Sequence, residues 1–201
     1  MTIHAVVFDI GGVLENTPDL GIIASWEQRL NLQPGQLNER LSPVWQGGSL
    51  GTLSEAEVHR EIGRIMSMSE AEVNAFMADI WREYLGTLNG ELADYFAGLR
   101  PRYQTAILSN SFVGAREKEQ AAYGFEDMCD LIIYSHEVGL EKPDPRIFAL
   151  TCERLGVQPA EVIFLDDVEG HVAAANEFGL SGILFHDTNQ AIAAIEARLQ
   201  R

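Results

Sequence analysis

Four groups of side chains in this 201-residue sequence have the types and spacing to do chemistry together. Asp9 ends the apolar run Ala5-Val6-Val7-Phe8 and is followed by Ile10 and two glycines, Gly11 and Gly12. Ser109-Asn110 end a second apolar run, Ala106-Ile107-Leu108, and Asp166-Asp167 end a third, Val162-Ile163-Phe164-Leu165. Lys142 stands in the loop Glu141-Lys142-Pro143-Asp144-Pro145. A carboxylate, a hydroxyl, an ammonium and an acid pair at one place suit phosphoryl transfer through a covalent aspartyl intermediate. Asp9 is the nucleophile toward phosphorus. Clustered carboxylates attract a hard cation, and Mg²⁺ prefers oxygen ligands and keeps bound water. The metal and Lys142 neutralise charge on the transferring group. Ser109 and the amides after Asp9 hydrogen-bond the phosphate oxygens. Taken singly, each group has a plainer reading: Asp9 as a turn or cap residue, Ser109-Asn110 as a turn, Lys142 as a solvated lysine, Asp166-Asp167 as a helix cap. Their joint placement at strand ends favours a site.

The elements that must position them follow from the hydrophobic pattern. A near-continuous apolar run suits a strand covered on both faces, as in a parallel sheet. The pattern predicts such strands at about residues 3–9, 105–109, 131–135, 162–166 and 182–185. Helices are expected between them, near residues 91–99, 115–123, 145–155, 170–178 and 189–199. Asp144 with Pro145 reads as a helix start, and Gly124, Gly156 and Gly179 as helix ends. Strands alternating with helices imply right-handed crossovers and a mostly parallel sheet. In such a sheet the carboxyl ends of the strands share one rim, where ligands bind. From about Glu15 to Leu88 the pattern shows no strand and reads as an inserted helical module. Ser54-Glu55-Ala56-Glu57 and Ser69-Glu70-Ala71-Glu72 have the form of capping boxes. Behind them run the apolar stripes Val58, Ile62, Ile65, Met66 and Val73, Phe76, Met77, Ile80. Ser42-Pro43 and Gly47-Gly48-Ser49-Leu50-Gly51 read as loops.

Composition narrows the function. Hydrophobic residues make up 46% of the chain, enough for a sizeable core. The net charge of −16 argues against a nucleic-acid partner. It is compatible with a small anionic substrate, because local amides, one lysine and a metal outweigh the global charge. No apolar run reaches the roughly 20 residues of a membrane span, so no membrane partner is expected. Cys129 and Cys152 are not spaced as a metal pair and read as free thiols. With no recognisable leader, a cytoplasmic location is expected. The pattern leaves the oligomeric state open.

Four motifs carry a family resemblance: VVFDIGGVLE, AILSNS, GLEKPDPRIF and VIFLDDVEGHVAAANEFG. Over about residues 1–14 and 90–186 the chain resembles the haloacid dehalogenase-like hydrolase superfamily. The resemblance implies a Rossmann-like α/β core with strand order 5-4-1-2-3, formed by residues 1–14 and 89–201. It implies a helical cap over residues 15–88 that selects substrate; separately from the resemblance, hinge segments are expected near Glu15–Thr17 and Thr87–Gly90. The resemblance also implies that Asp9 is nucleophile and metal ligand, and that Lys142 is catalytic and phosphate-binding. Ser109, Asn110, Gly11 and Gly12 then surround the phosphate. Asp167 is implied as a direct Mg²⁺ ligand, Asp166 as its outer partner, and the Gly11 carbonyl as a further ligand. The expected function is hydrolysis of a small phosphorylated metabolite, such as a sugar phosphate.

One departure stands out. Phosphatases of the family usually carry a second aspartate two residues after the nucleophile, as general acid and base. Here that position is Gly11. Losing a positioned acid or base lowers the rate by about 10²–10⁴-fold. Either the leaving group needs little help, or another group such as Glu15, His171 or His59 serves. The alternatives are a dehalogenase- or phosphonatase-type reaction, and a weakly active or non-catalytic member that binds a phosphorylated ligand or a protein.

Overall fold

The computed structural model describes residues 2–200. The chain opens with strand β1 (Ala5–Phe8), buried along its whole length. A two-residue strand β2 (Glu15–Asn16) follows. Then come helices α1 (Ile22–Arg29), α2 (Gln36–Ser49), α3 (Glu55–Met66) and α4 (Glu70–Leu85). A second two-residue strand, β3 (Thr87–Leu88), pairs antiparallel with β2. The rest alternates: α5 (Gly90–Gly98), β4 (Gln104–Ser109), α6 (Ala115–Tyr123), α7 (Phe125–Met128), β5 (Leu131–Tyr134), α8 (Ser135–Val138) and α9 (Pro145–Leu155). After a 3₁₀ turn come β6 (Val162–Asp166), α10 (Glu169–Phe178), β7 (Ser181–Leu184) and α11 (Thr188–Leu199).

The main sheet has the order β5-β4-β1-β6-β7, and every pairing in it is parallel. Counted over these five strands in chain order, it is the expected order read from the opposite edge. Parallel strands bury both faces, and both faces here are covered. On one face Phe8 stacks on Phe96 of α5 at 4.5 Å, beside Ile195 of α11. On the other, Val7 and Phe164 pack with Ile147 and Phe148 of α9. Helices α1 to α4 enclose a separate apolar core of Trp26, Leu41, Ile62 and Phe76. Both capping boxes form: Ser54 and Ser69 accept the amides of Glu57 and Glu72, whose side chains reach back to the cap amides. No helix among the described residues is long and apolar enough to cross a membrane.

Two expectations need correction. The residues read as loops at Ser42-Pro43 and Gly47-Gly48-Ser49 lie inside α2. The glycines serve close approach instead of turning. A Cβ on Gly47 would stand 2.6 Å from a Leu53 methyl, and one on Gly48 would stand 2.1 Å from the Phe112 ring. The stretch expected to lack strands contains β2 and β3, each too short for an apolar alternation to register. This two-stranded ribbon joins the segments expected to act as hinges.

Candidate active site

Strands β1, β4 and β6 run in parallel side by side, so their carboxyl ends lie on one rim. Asp9, Ser109 and Asp166 stand there, all buried. The loop after α8 brings in Lys142, whose side chain is fully enclosed. Its Nζ lies 2.8 Å from Asp9 Oδ1 and 2.7 Å from Asp166 Oδ2. One ammonium therefore bridges two buried carboxylates. The two are not held alike. Burial raises Asp166, but His171, Lys142 and the Val168 amide outweigh it and bring its pKa down to about 2. Asp9 has fewer donors, namely Lys142 and the Ile10 amide at 2.8 Å. Burial dominates there and pushes its pKa up to about 7, against the pull of Lys142.

Asn110 fixes the loop that carries the lysine. Its Nδ2 donates to the Lys142 carbonyl at 2.8 Å, and its Oδ1 accepts the Lys142 amide at 2.7 Å. Gly12 brings the turn after β1 against Asp167. Its φ is +72°, and an added Cβ would lie 2.1 Å from Asp167 Oδ2. The turn thus needs glycine twice, for its backbone angle and for the carboxylate packed on it. Asp9, Asp166 and His171 each offer a ligand atom, all within 4.8 Å of one another. Asp167, exposed at the end of β6, has its pKa raised by partial burial and by the Asp166 charge.

Above this floor opens a cleft of about 640 Å³, within the usual range for small-molecule sites. Gly11, Ser109, Asn110 and Ser111 line its base. Ile23, Trp45, Ile80, Trp81 and Tyr84, from α1, α2 and α4, form the opposite wall together with Phe112. The aromatic rings support one another. Trp45 meets Phe112 edge-on at 5.9 Å, and Trp81 meets Tyr84 at 5.0 Å.

A model of the haloacid dehalogenase-like hydrolase family matches residues 3–179. The chain belongs to that family. It is 29% identical over 220 residues to bifunctional epoxide hydrolase 2 of Sus scrofa, covering 98% of this chain and 39% of that protein. It is 27% identical over 192 residues to D-ribitol-5-phosphate phosphatase of Bacteroides thetaiotaomicron, covering 88% and 89% of the two chains. The chain thus spans about two fifths of the first relative and most of the second. A solved family enzyme from Bacteroides thetaiotaomicron, in complex with magnesium and inorganic phosphate, superposes with a TM-score of 0.77. It is 25% identical, with 92% of this chain and 94% of that chain covered.

Within this chain the residues that could substitute for the absent aspartate are dispersed. His59 lies on α3 with its Nε2 buried and without a hydrogen bond. It lines a separate hollow with Arg60 and Met68. His171 is bound through Nδ1 to Asp166 at 3.1 Å. Glu15 is 1% exposed, and its Oε1 is enclosed without a hydrogen bond. Burial, then the nearby Glu119 and Asp9, pushes its pKa up to about 9. Glu119 of α6 is fully buried, accepts the Tyr134 hydroxyl on Oε2, and is itself raised by burial to about 7. Sequence reading missed this Glu15–Glu119–Tyr84–Tyr134 group, because its members sit on β2, α6, α4 and β5 and share no motif. It also missed the Ser111 hydroxyl, which lies 2.7 Å from His136 Nδ1. The third residue of Ser109-Asn110-Ser111 was the available signal.

Proposed function

We propose that the chain is a Mg²⁺-dependent phosphatase that hydrolyses a small phosphorylated metabolite by way of a phosphoester on Asp9. The observation that carries this reading is the Asp9–Lys142–Asp166 triangle beneath the cleft. The relative named for ribitol 5-phosphate, a sugar-alcohol phosphate, supports the choice of phosphate. Asp9 Oδ2 attacks phosphorus while Oδ1 stays on Lys142. The phosphorus–oxygen bond to the leaving group breaks, and its electron pair departs with that oxygen. Lys142 orients the nucleophile and offsets charge on the phosphoryl group. The Ser109 hydroxyl and the amides of Gly11 and Gly12 hydrogen-bond its oxygens. Asn110, beside them in the cleft, also positions Lys142 from both sides of its peptide. Water then adds to phosphorus and frees Asp9.

The donors fit Mg²⁺. They are hard oxygens, and three carboxylates stand near one ammonium, an excess of negative charge that a divalent cation offsets. Asp9, Asp167 and the Gly11 carbonyl would hold it, with Asp166, bound to His171, behind them. When bound, it supplies further charge neutralisation on the phosphoryl oxygens. Residues 15–88 serve as a cap over a core of residues 1–14 and 89–201 and shield the cleft from bulk water. Two free, buried cysteines suit the cytoplasm.

The test is phosphate release from a panel of phosphate esters with Mg²⁺ and with EDTA. Mg²⁺-dependent release that Asp9→Asn abolishes is the expected result. Equal release by the variant, shown to be folded, would sink the Asp9 mechanism.

A further inference from the structure

Given the phosphatase reading above, we infer that the substrate is an aryl phosphate: a phosphate monoester of a phenolic ring with no second anionic group. Two independent observations converge on it. The first is the open place at Gly11. Its φ lies outside the left-handed region, and an added Cβ would meet nothing within 4 Å. An aspartate would be accommodated there, yet the position carries no acid. The candidates elsewhere do not fill it: Glu15 Oε1 is enclosed, His171 is held by Asp166, and His59 lines a different hollow. No acid therefore stands at that position to protonate the leaving oxygen. A phenolate, with an ordinary pKa of about 10, leaves far more readily than the alkoxide of a sugar or polyol.

The second observation is the cleft wall. Trp45, Trp81, Phe112 and Tyr84 present rings where the leaving group must lie. Among the described residues lining the cleft there is no Lys, Arg or His. Its acids are Asp19, Glu83 and Glu141. Glu83 accepts the Leu20 amide at 2.7 Å, and Asp19 accepts the Gly21 amide at 2.8 Å. Such a wall favours a flat uncharged ring and repels a second phosphate or a carboxylate.

In the step itself, Asp9 Oδ2 bonds to phosphorus as the bond from phosphorus to the ring oxygen breaks. The electron pair leaves on the phenolate, which takes its proton from water. A water molecule then adds to phosphorus and breaks the Asp9 ester, giving phenol and inorganic phosphate. The first irreversible step sets kcat/KM, so leaving-group dependence is read there.

Three esters separate the two observations: phenyl phosphate, benzyl phosphate and ribitol 5-phosphate, each with Mg²⁺. Phenyl and benzyl share a ring but leave as phenolate and alkoxide. Benzyl and ribitol both leave as alkoxides but differ in the ring. We expect kcat/KM for phenyl to exceed benzyl by about 100-fold or more, and benzyl to exceed ribitol by about tenfold. Gly11→Asp should raise benzyl more than phenyl and narrow that gap. Trp45→Ala should lower both ring substrates and spare ribitol phosphate, while Trp45→Phe retains the ring preference. Equal rates on phenyl and benzyl phosphate would show that another group supplies the acid and would overturn the inference. So would a preference for ribitol phosphate over benzyl. Failure of the phosphatase reading looks different: no Mg²⁺-dependent release from any ester, p-nitrophenyl phosphate included, above the Asp9→Asn background.

Discussion

Lys142 lies between two carboxylates whose pKa values are shifted in opposite directions, Asp166 down and Asp9 up. Asp166 takes Lys142, His171 and the Val168 amide and stays ionised as a fixed anchor. Asp9 is the less firmly held carboxylate, on the cleft side of the same ammonium. A second divergence concerns stability. Glu15 keeps its proton in the fold up to about 9, against an ordinary value of 4.5. In the unfolded chain the proton leaves near 4.5, so between the two values the unfolded state binds fewer protons. Stability therefore falls as pH rises through that window. Glu119 adds the same sign up to about 7. Melting temperatures measured from pH 5 to 9 should decline, and Glu15→Gln, which cannot ionise, should flatten the decline and raise the melting temperature at the alkaline end. A variant with an unchanged slope would show that Glu15 ionises freely in the fold. The sequence made Asp9, Ser109, Lys142, Asp166 and Asp167 legible, because four of them end apolar runs and one sits in a Pro-flanked loop. Glu15 was legible only as a candidate, since its burial and its neighbour Glu119 arise from packing between distant elements.

At the scale of elements, the parallel strands were readable because each buried strand is a continuous apolar run bounded by turn residues. The helices behind Ser54 and Ser69 were readable from their caps, which act locally. Helix α2 was not, because Pro43, Gly47 and Gly48 mimic loop punctuation, and the reason for the glycines lies on other elements. Gly48 sits under the Phe112 ring, and its carbonyl accepts the Val113 amide at 3.1 Å. This contact joins α2 to the segment after β4, so the cleft wall depends on it. In Gly48→Ala the new methyl must displace Phe112. The expected stability loss is about 1–3 kcal/mol, with KM for ring substrates raised and kcat little changed. Chemical denaturation and steady-state kinetics on phenyl phosphate check both. A lowered kcat with unchanged KM would mean that Phe112 bears on the chemistry and not on the leaving group.

Over the whole molecule, a net charge of −16 surrounds a site that we propose takes a phosphate dianion. On that reading local groups offset the charge: Lys142, the amides of the turn after β1, and the proposed Mg²⁺. The wider field repels the substrate on its approach. Screening should relieve this, since the Debye length shortens from about 30 Å at 0.01 M salt to about 10 Å at 0.1 M. With Mg²⁺ held saturating, kcat/KM for phenyl phosphate should therefore rise across that range. A fall would show that attraction to the local positive groups, and not repulsion by the net charge, governs encounter. Fold class was legible at this scale from the alternation of strands and helices, while the sheet order was an implication of the family resemblance and not of the pattern. The aromatic character of the cleft was not legible, because Trp45, Trp81 and Phe112 are far apart in the sequence and only the packing of α2 and α4 against the segment after β4 brings them together.

The measurement that bears most directly on the account is a trapping experiment at Asp9. Enzyme quenched in acid during turnover of p-nitrophenyl phosphate with Mg²⁺ is reduced with borohydride and mapped by peptide mass spectrometry. An acyl phosphate on Asp9 is reduced to homoserine, and we expect that conversion in the peptide containing Phe8-Asp9-Ile10. It should be absent without substrate and absent in Asp9→Asn. Turnover with Asp9 unmodified, under conditions that trap a known aspartyl phosphate, would contradict the covalent mechanism.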